Sequence, residues 1–134
     1  MRVVIDTNVV ISGIFFGGPP AKVLEAVLDE QYQVILSEEI IKEYFEILHR
    51  ISEKRNAPID PGSKIINILI SNAIIIDATN AETPQCADPD DIKFLQAAIA
   101  SNAKFLISGD KHLLDVGKYK GGIVLKPKEF LLSR

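Results

Sequence analysis

Tryptophan is missing from this 134-residue chain, and cysteine and methionine occur once each. Cys86 can form no internal disulfide and has no second thiol for a zinc site, which leaves it a packing role or none. No apolar run approaches the ~20 residues that span a bilayer. The first apolar run is broken by Asp6 and Asn8, so a signal-peptide layout is lacking too, and the cytoplasm is the expected location. Basic residues are in no excess: a net charge of −3 argues against a protein that grips nucleic acid by bulk charge. The run GGPPAK lacks the G-x-x-x-x-G-K-S/T spacing, and no G-x-G-x-x-G follows the first apolar segment, which speaks against nucleotide binding by those devices. Internal repeats and low-complexity tracts are absent as well.

What is there is globular in composition, 47% hydrophobic and 25% charged, in a chain whose length fits one compact domain over residues 1–134. Val3, Val4 and Ile5 are β-branched and unbroken, which suits a strand buried on both faces of a parallel sheet. After Gly13 to Gly18, Pro20 opens a helix with Val23, Leu24, Val27 and Leu28 on one face. Tyr32 to Leu36 reads as a second strand, and Ser37 as the N-cap of a long helix from Glu38 to about Arg55. The breaker-rich run Asn56 to Gly62 reads as a loop, before a shorter helix over Ile65 to Ile70 and a third strand at Ala73 to Ile76. Thr79 to Ala87 is polar and irregular. Asp88 and Pro89 then begin a helix to about Asn102, followed by a strand Lys104 to Ile107 and a turn at Ser108 to Asp110. A short last strand, Gly122 to Leu125, precedes Pro127 and a terminal helical turn. This alternation predicts a mainly parallel sheet covered on both faces, an α/β sandwich.

Four acids stand where chemistry is expected. Asp6 follows a buried strand, and in open α/β sheets ligand crevices lie at the carboxyl ends of strands; capping the next turn is its plainer use. In the long helix, Ile40, Ile41, Tyr44, Ile47, Leu48 and Ile51 form the core stripe, and Glu43 lies closer to it than Glu38, Glu39 or Glu46. Capping alone accounts for Asp88, Asp90 and Asp91. Yet Asp90 shares its face with Lys93, whereas Asp91 has Phe94, Leu95 and Ala98 on its own, a setting where an ionised carboxylate needs a cation or strong donors. Asp110 repeats the arrangement of Asp6 after the strand Lys104 to Ile107, although Gly109-Asp110 is also ordinary turn chemistry. Singly, each acid is better explained structurally. Together in one crevice, such carboxylates stay ionised only with divalent cations between them, and hard oxygen donors point to Mg²⁺ or Mn²⁺ rather than zinc. That chemistry is metal-assisted hydrolysis of a phosphodiester by an activated water. His49 falls on the far side of its helix, and His112 reads as a surface turn residue beside Asp110.

The chain resembles the PIN-domain family, and within it the VapC-like toxin components of toxin–antitoxin pairs. VVIDTNVVIS, SEEIIKEYFEIL, DPDDIKFLQAA and LISGDKHLL carry the resemblance, in the family's order, over residues 1 to about 115. The resemblance implies an α/β/α sandwich with a metal site at Asp6, Glu43, Asp91 and Asp110, supported by Asn8 and Ser108. It also implies Mg²⁺ or Mn²⁺, cleavage of RNA to leave a 5′-phosphate and a 3′-hydroxyl, a homodimer or higher homo-oligomer, and a small antitoxin partner. His112 departs from the pattern, since relatives often carry a further Asp after the turn. The end of the chain, residues 104–134, carries 7 basic against 3 acidic residues, and Lys111, Lys118 and Lys120 are candidate contacts for RNA phosphates, with a solvated surface as the plainer reading. Two other classes compete. A silent PIN-fold binding module would lack an acidic ligand, and none of the four is missing. An acid-pocket phosphatase or receiver domain usually carries a second Asp two residues after the first, where this chain has Asn8. A PIN nuclease of RNA processing remains an alternative to a toxin.

Overall fold

The computed structural model describes residues 1–134. In chain order it contains β1 (Arg2–Ile5), α1 (Thr7–Phe15), α2 (Gly18–Val27), β2 (Gln33–Leu36), α3 (Glu38–Lys54), α4 (Asp60–Ser71) and β3 (Ile74–Ile75). A 3₁₀ turn (Pro89–Asp91) then leads into α5 (Ile92–Ser101), β4 (Phe105–Ile107), α6 (Lys111–Val116), β5 (Lys118–Tyr119), β6 (Gly122–Leu125) and α7 (Pro127–Leu132). The sheet order is β3-β2-β1-β4-β6-β5, parallel throughout except for β5, which folds back antiparallel on β6. Val3, Val4 and Ile5 are all fully buried although neighbouring side chains point to opposite faces, so helices cover β1 on both sides, as the apolar run predicts. The predicted α/β/α sandwich with a mainly parallel sheet is the architecture observed. No single helix is long and apolar enough to cross a membrane.

The topology fixes where a ligand can sit. From β1 the chain builds outward to β2 and β3 on one side, and β4 and β6 lie on the other. The boundary between β1 and β4 is therefore the switch point, outside whose carboxyl ends a crevice opens. Ile5 pairs with Ile107 in register, so Asp6 and Ser108 emerge side by side, and the Asp6 amide donates to the Ile107 carbonyl at 2.9 Å.

Several local readings need correction. The turn expected after Asp6 is the start of a helix, α1, with Val9, Val10 and Ile11 buried. Their β-branched side chains weaken helix propensity by only tenths of a kcal/mol each, whereas burying such a side chain contributes about 1.5–3 kcal/mol. Gly13 permits the next helix to come close, since a Cβ there would meet Leu24 Cδ1 at 2.6 Å and the Pro20 carbonyl at 3.0 Å. α2 ends at Val27, leaving Leu28 exposed rather than on the buried face. Asp60-Pro61 is a helix start, not part of a loop, because a proline in the first turn gives up only an amide that has no helical partner. Helix α6 and the short hairpin strand β5 are elements the sequence reading did not contain. Ser37 caps α3 as expected, accepting from the Ile40 amide at 3.3 Å.

Candidate metal centre at the switch point

Each carboxylate at this sheet end is placed by a different element. Asp6 is the last residue before α1 and almost wholly buried; the Ser108 hydroxyl donates to its Oδ2 at 2.6 Å, and Ser108 Oγ in turn accepts the Asp110 amide at 2.9 Å. One buried serine thus ties together the ends of β1 and β4. Asp110 caps α6 through Oδ1, which accepts the His112 amide at 2.9 Å. Asp88 caps the 3₁₀ turn through Oδ1, which accepts the Asp90 amide at 3.0 Å. A cap occupies part of a carboxylate and leaves acceptor capacity on the other oxygen. Carboxylate oxygens of Asp88, Asp91 and Asp110 all lie within 4.8 Å of one another.

Asp91 is the most exacting member. It is 6% exposed, and its Oδ2 is buried with no hydrogen-bond partner. Burial, a hydrogen bond with Asp110, and the charges of Asp110, Asp6 and Asp88 together push its carboxyl up to about 7. Asp6 is pushed up to about 6, chiefly by burial, against hydrogen bonds from Ser108 and the Asn8 backbone; Asp110 and Glu43 add repulsion. Crowded, desolvated carboxylates of this kind favour the proton unless a cation takes its place. Oxygen donors alone, with one buried oxygen unsatisfied, fit a hard divalent cation such as Mg²⁺ or Mn²⁺ and do not fit the nitrogen and sulfur preference of structural zinc.

The structure gathers the expected acids unevenly. Asp6, Asp91 and Asp110 come together as one electrostatic group. Glu43 reaches the same sheet end but stands outside the trio: its Oε1 pairs with Lys93 Nζ at 3.0 Å and its Oε2 accepts from the Thr7 hydroxyl. Asp88, rather than Glu43, has a carboxylate oxygen converging with those of Asp91 and Asp110, a role hidden in the sequence by its good fit as a cap. Thr7 and Lys93 were likewise missed; Thr7 lies inside the Asp6-Thr7-Asn8 run, and Lys93 two residues after Asp91 carried only the signal of a solvent-facing charge. Ser108 supports Asp6 directly, whereas Asn8 has an exposed side chain that makes no hydrogen bond to the acids; it lines an opening with Ser12, Asp88, Asp110 and His112. Lys111 follows Asp110 immediately, but Lys118 and Lys120 sit beside the start of β6, away from the carboxyl ends of the strands. His49 is exposed on α3.

Comparison with known proteins bears on the family and the fold. Residues 2–112 match the PIN domain family. An uncharacterized protein of Methanocaldococcus jannaschii is 36% identical, over 98% of this chain and 90% of its own length. A chain of VapBC2 from Rickettsia felis, crystallised with a DNA fragment from its promoter, superposes with a TM-score of 0.63 at 15% identity, covering 94% of this chain and 98% of that one. At that identity, the likeness is one of fold.

Proposed function

Since this chain belongs to the PIN-domain family, we propose that it is a Mg²⁺- or Mn²⁺-dependent endoribonuclease, acting as the toxin of a toxin–antitoxin pair. The observation that carries the reading is the buried, unpartnered Asp91 Oδ2 among the converging oxygens of Asp88 and Asp110. A divalent cation bound there would supply an activated water and neutralise charge on the phosphodiester. Asp91, Asp110 and Asp88 would hold it, with Asp6 as the fourth wall. Ser108 fixes the Asp6 carboxylate and the Asp110 backbone at once, so the two strand ends present their acids in one geometry. Glu43, held by Thr7 and Lys93, bounds the site on the α3 side. Lys111, exposed beside Asp110, steadies the RNA backbone.

The VapBC2 neighbour is a complex, and its fold likeness supports a small antitoxin as the partner of this chain; a homodimer is the expected assembly. The deciding experiment incubates the purified protein with single-stranded RNA, and with DNA of the same sequence, in Mn²⁺, in Mg²⁺ and in EDTA. Cleavage of RNA alone, abolished by EDTA and by Asp91→Asn, is the expected result. RNA cleavage that persists in Asp6→Asn and Asp91→Asn would refute the assigned site, and preferential DNA cleavage would refute the substrate.

A further inference from the structure

Another opening, of about 600 Å³, lies at the carboxyl ends of β2 and β3, between the first turns of α3 and the face of α5 that carries Lys93 and Gln96. Lys93 is part of its wall and donates to Glu43 Oε1 at 3.0 Å, so the opening adjoins the carboxylate site. Its floor is aliphatic, with Ile75 51% exposed beside Ile76. The segment after β3 is pinned: the Ile76 amide donates to the Leu36 carbonyl at 2.9 Å, and Gln96 Nε2 to the Thr79 carbonyl at 3.1 Å. Around this floor stand polar groups without partners. Glu38 and Lys42 are four positions apart on α3, and Glu39 and Lys42 three, spacings at which opposite charges ordinarily pair. They do not pair here, since the one ion pair of the structure is Lys93 with Glu43. Ser37 is only 9% exposed; its Oγ accepts the Ile40 amide, and its own proton goes to no acceptor.

The pattern narrows the ligand. Three acids, Glu38, Glu39 and Asp77, outnumber the lysines, one of which is spent on Glu43, so a phosphate is a poor occupant. An unstacked base can lie on an aliphatic floor and be read along its edges. Guanine sets its N1 proton beside its N2 amine, two donors that match the two oxygens of a carboxylate, and O6 beside N7, two acceptors that match an ammonium. Adenine and cytosine put a ring acceptor beside their amine, and uracil puts a carbonyl on each side of its one ring proton, so each would turn lone pairs toward the carboxylates.

We propose that this opening receives an unpaired guanine of the RNA strand, near the phosphodiester presented to the acids. A carboxylate of Glu38 or Glu39 takes the N1 and N2 protons, and Lys42 and the Ser37 hydroxyl face the O6 and N7 side. That the base belongs to RNA rests on the ribonuclease reading given above; that it is guanine rests on the opening itself.

The test is fluorescence anisotropy of labelled single-stranded RNA heptamers in EDTA, where binding is read without cleavage. All positions are uridine except the central one, which is uridine, guanosine, inosine, adenosine or cytidine. Central guanosine is expected to strengthen binding by at least about fivefold over uridine, the low end of what one bidentate pair to a base is worth. Inosine, which lacks the N2 amine, loses most of that gain. The double variant Glu38→Ala/Glu39→Ala, checked for folding by circular dichroism, brings guanosine and uridine to within about twofold of each other; should it fail to fold, the inosine arm on the wild type decides. A wild-type gain below about fivefold, inosine, adenosine or cytidine binding as well as guanosine, or an undiminished preference in the folded double variant overturns the inference. Guanosine monophosphate competing as well as the guanosine heptamer marks a free nucleotide as the ligand and overturns the placement in RNA. Cleavage of the same heptamers in Mn²⁺ is measured alongside. Cleavage without guanosine preference overturns this inference alone, preference without cleavage overturns the nuclease reading alone, and a wild type that neither binds nor cuts any heptamer overturns both.

Discussion

Glu43 and Asp91 are drawn to the same end of the sheet, and the fold treats their charges in opposite ways. Glu43 receives an ammonium and a hydroxyl, one on each oxygen. Asp91 is buried deeper, among three other acids, and one of its oxygens receives nothing. A chain selected only for stability would not keep the second arrangement, because an uncompensated buried carboxylate costs more than a solvated one gains. The contrast separates a charge the protein balances internally from one it leaves unbalanced. Structure alone, read as an inventory of acids, would give the two the same role.

The sharpest way to break the comparison is Asp91→Asn. Cleavage is expected to fall by at least about 100-fold, since the change removes a ligand rather than a supporting group. The same substitution is expected to raise the metal-free thermal midpoint at neutral pH, because it relieves the crowding; a lowered midpoint would mean that Asp91 is a structural acid. The pH dependence follows from the raised carboxyls, about 6 for Asp6 and about 7 for Asp91, against ordinary values near 3.8. What these groups contribute to stability is fully present below about pH 4 and is lost as pH rises through 6 to 7. In EDTA the wild-type midpoint should therefore decline relative to Asp91→Asn across that window, and saturating Mn²⁺ should abolish the difference. Differential scanning of both proteins in both buffers checks it.

Ser108→Ala acts at one remove. It strips the donor from Asp6 Oδ2 and the acceptor from the Asp110 amide, so cleavage should drop about tenfold and stability by about 1–3 kcal/mol, measured by denaturant titration. Smallest are the lysines. Lys111→Ala should weaken RNA binding a few-fold and lower the salt slope by about 1, while Lys118→Ala and Lys120→Ala leave both nearly unchanged, as fluorescence anisotropy at several salt concentrations would show. Equal effects at all three would shift the RNA path toward the hairpin.

Much of this was legible in the sequence for identifiable reasons. The unbroken Val3-Val4-Ile5 run, the Ser37 cap and the stripe through Ile40, Tyr44 and Leu48 signal burial at fixed periods, and burial dominates the energy of those elements. Helix α1 was hidden because tertiary burial overrides the local preference of Val9, Val10 and Ile11. Asp91 was separable from Asp90 by face alone, and the two are buried and exposed accordingly. Asp88 was not legible as part of the cluster, since a cap and a ligand use different oxygens of one carboxylate and sequence shows only the residue. The engagement of Glu43 by Lys93 is a contact across 50 positions, which helical spacing cannot anticipate.

The serine that joins the two strand ends also sets a clock. Ser108 and Asp6 are 102 positions apart, and β1 has no partner on its β4 side until residues 105–107 exist. During synthesis the first four-fifths of the chain carries Asp6, Glu43, Asp88 and Asp91 but neither Asp110 nor the hydroxyl that orients Asp6. The cluster is completed only when β4 slots in beside β1, so a nascent chain carries most of these acids before it has the geometry that gathers them.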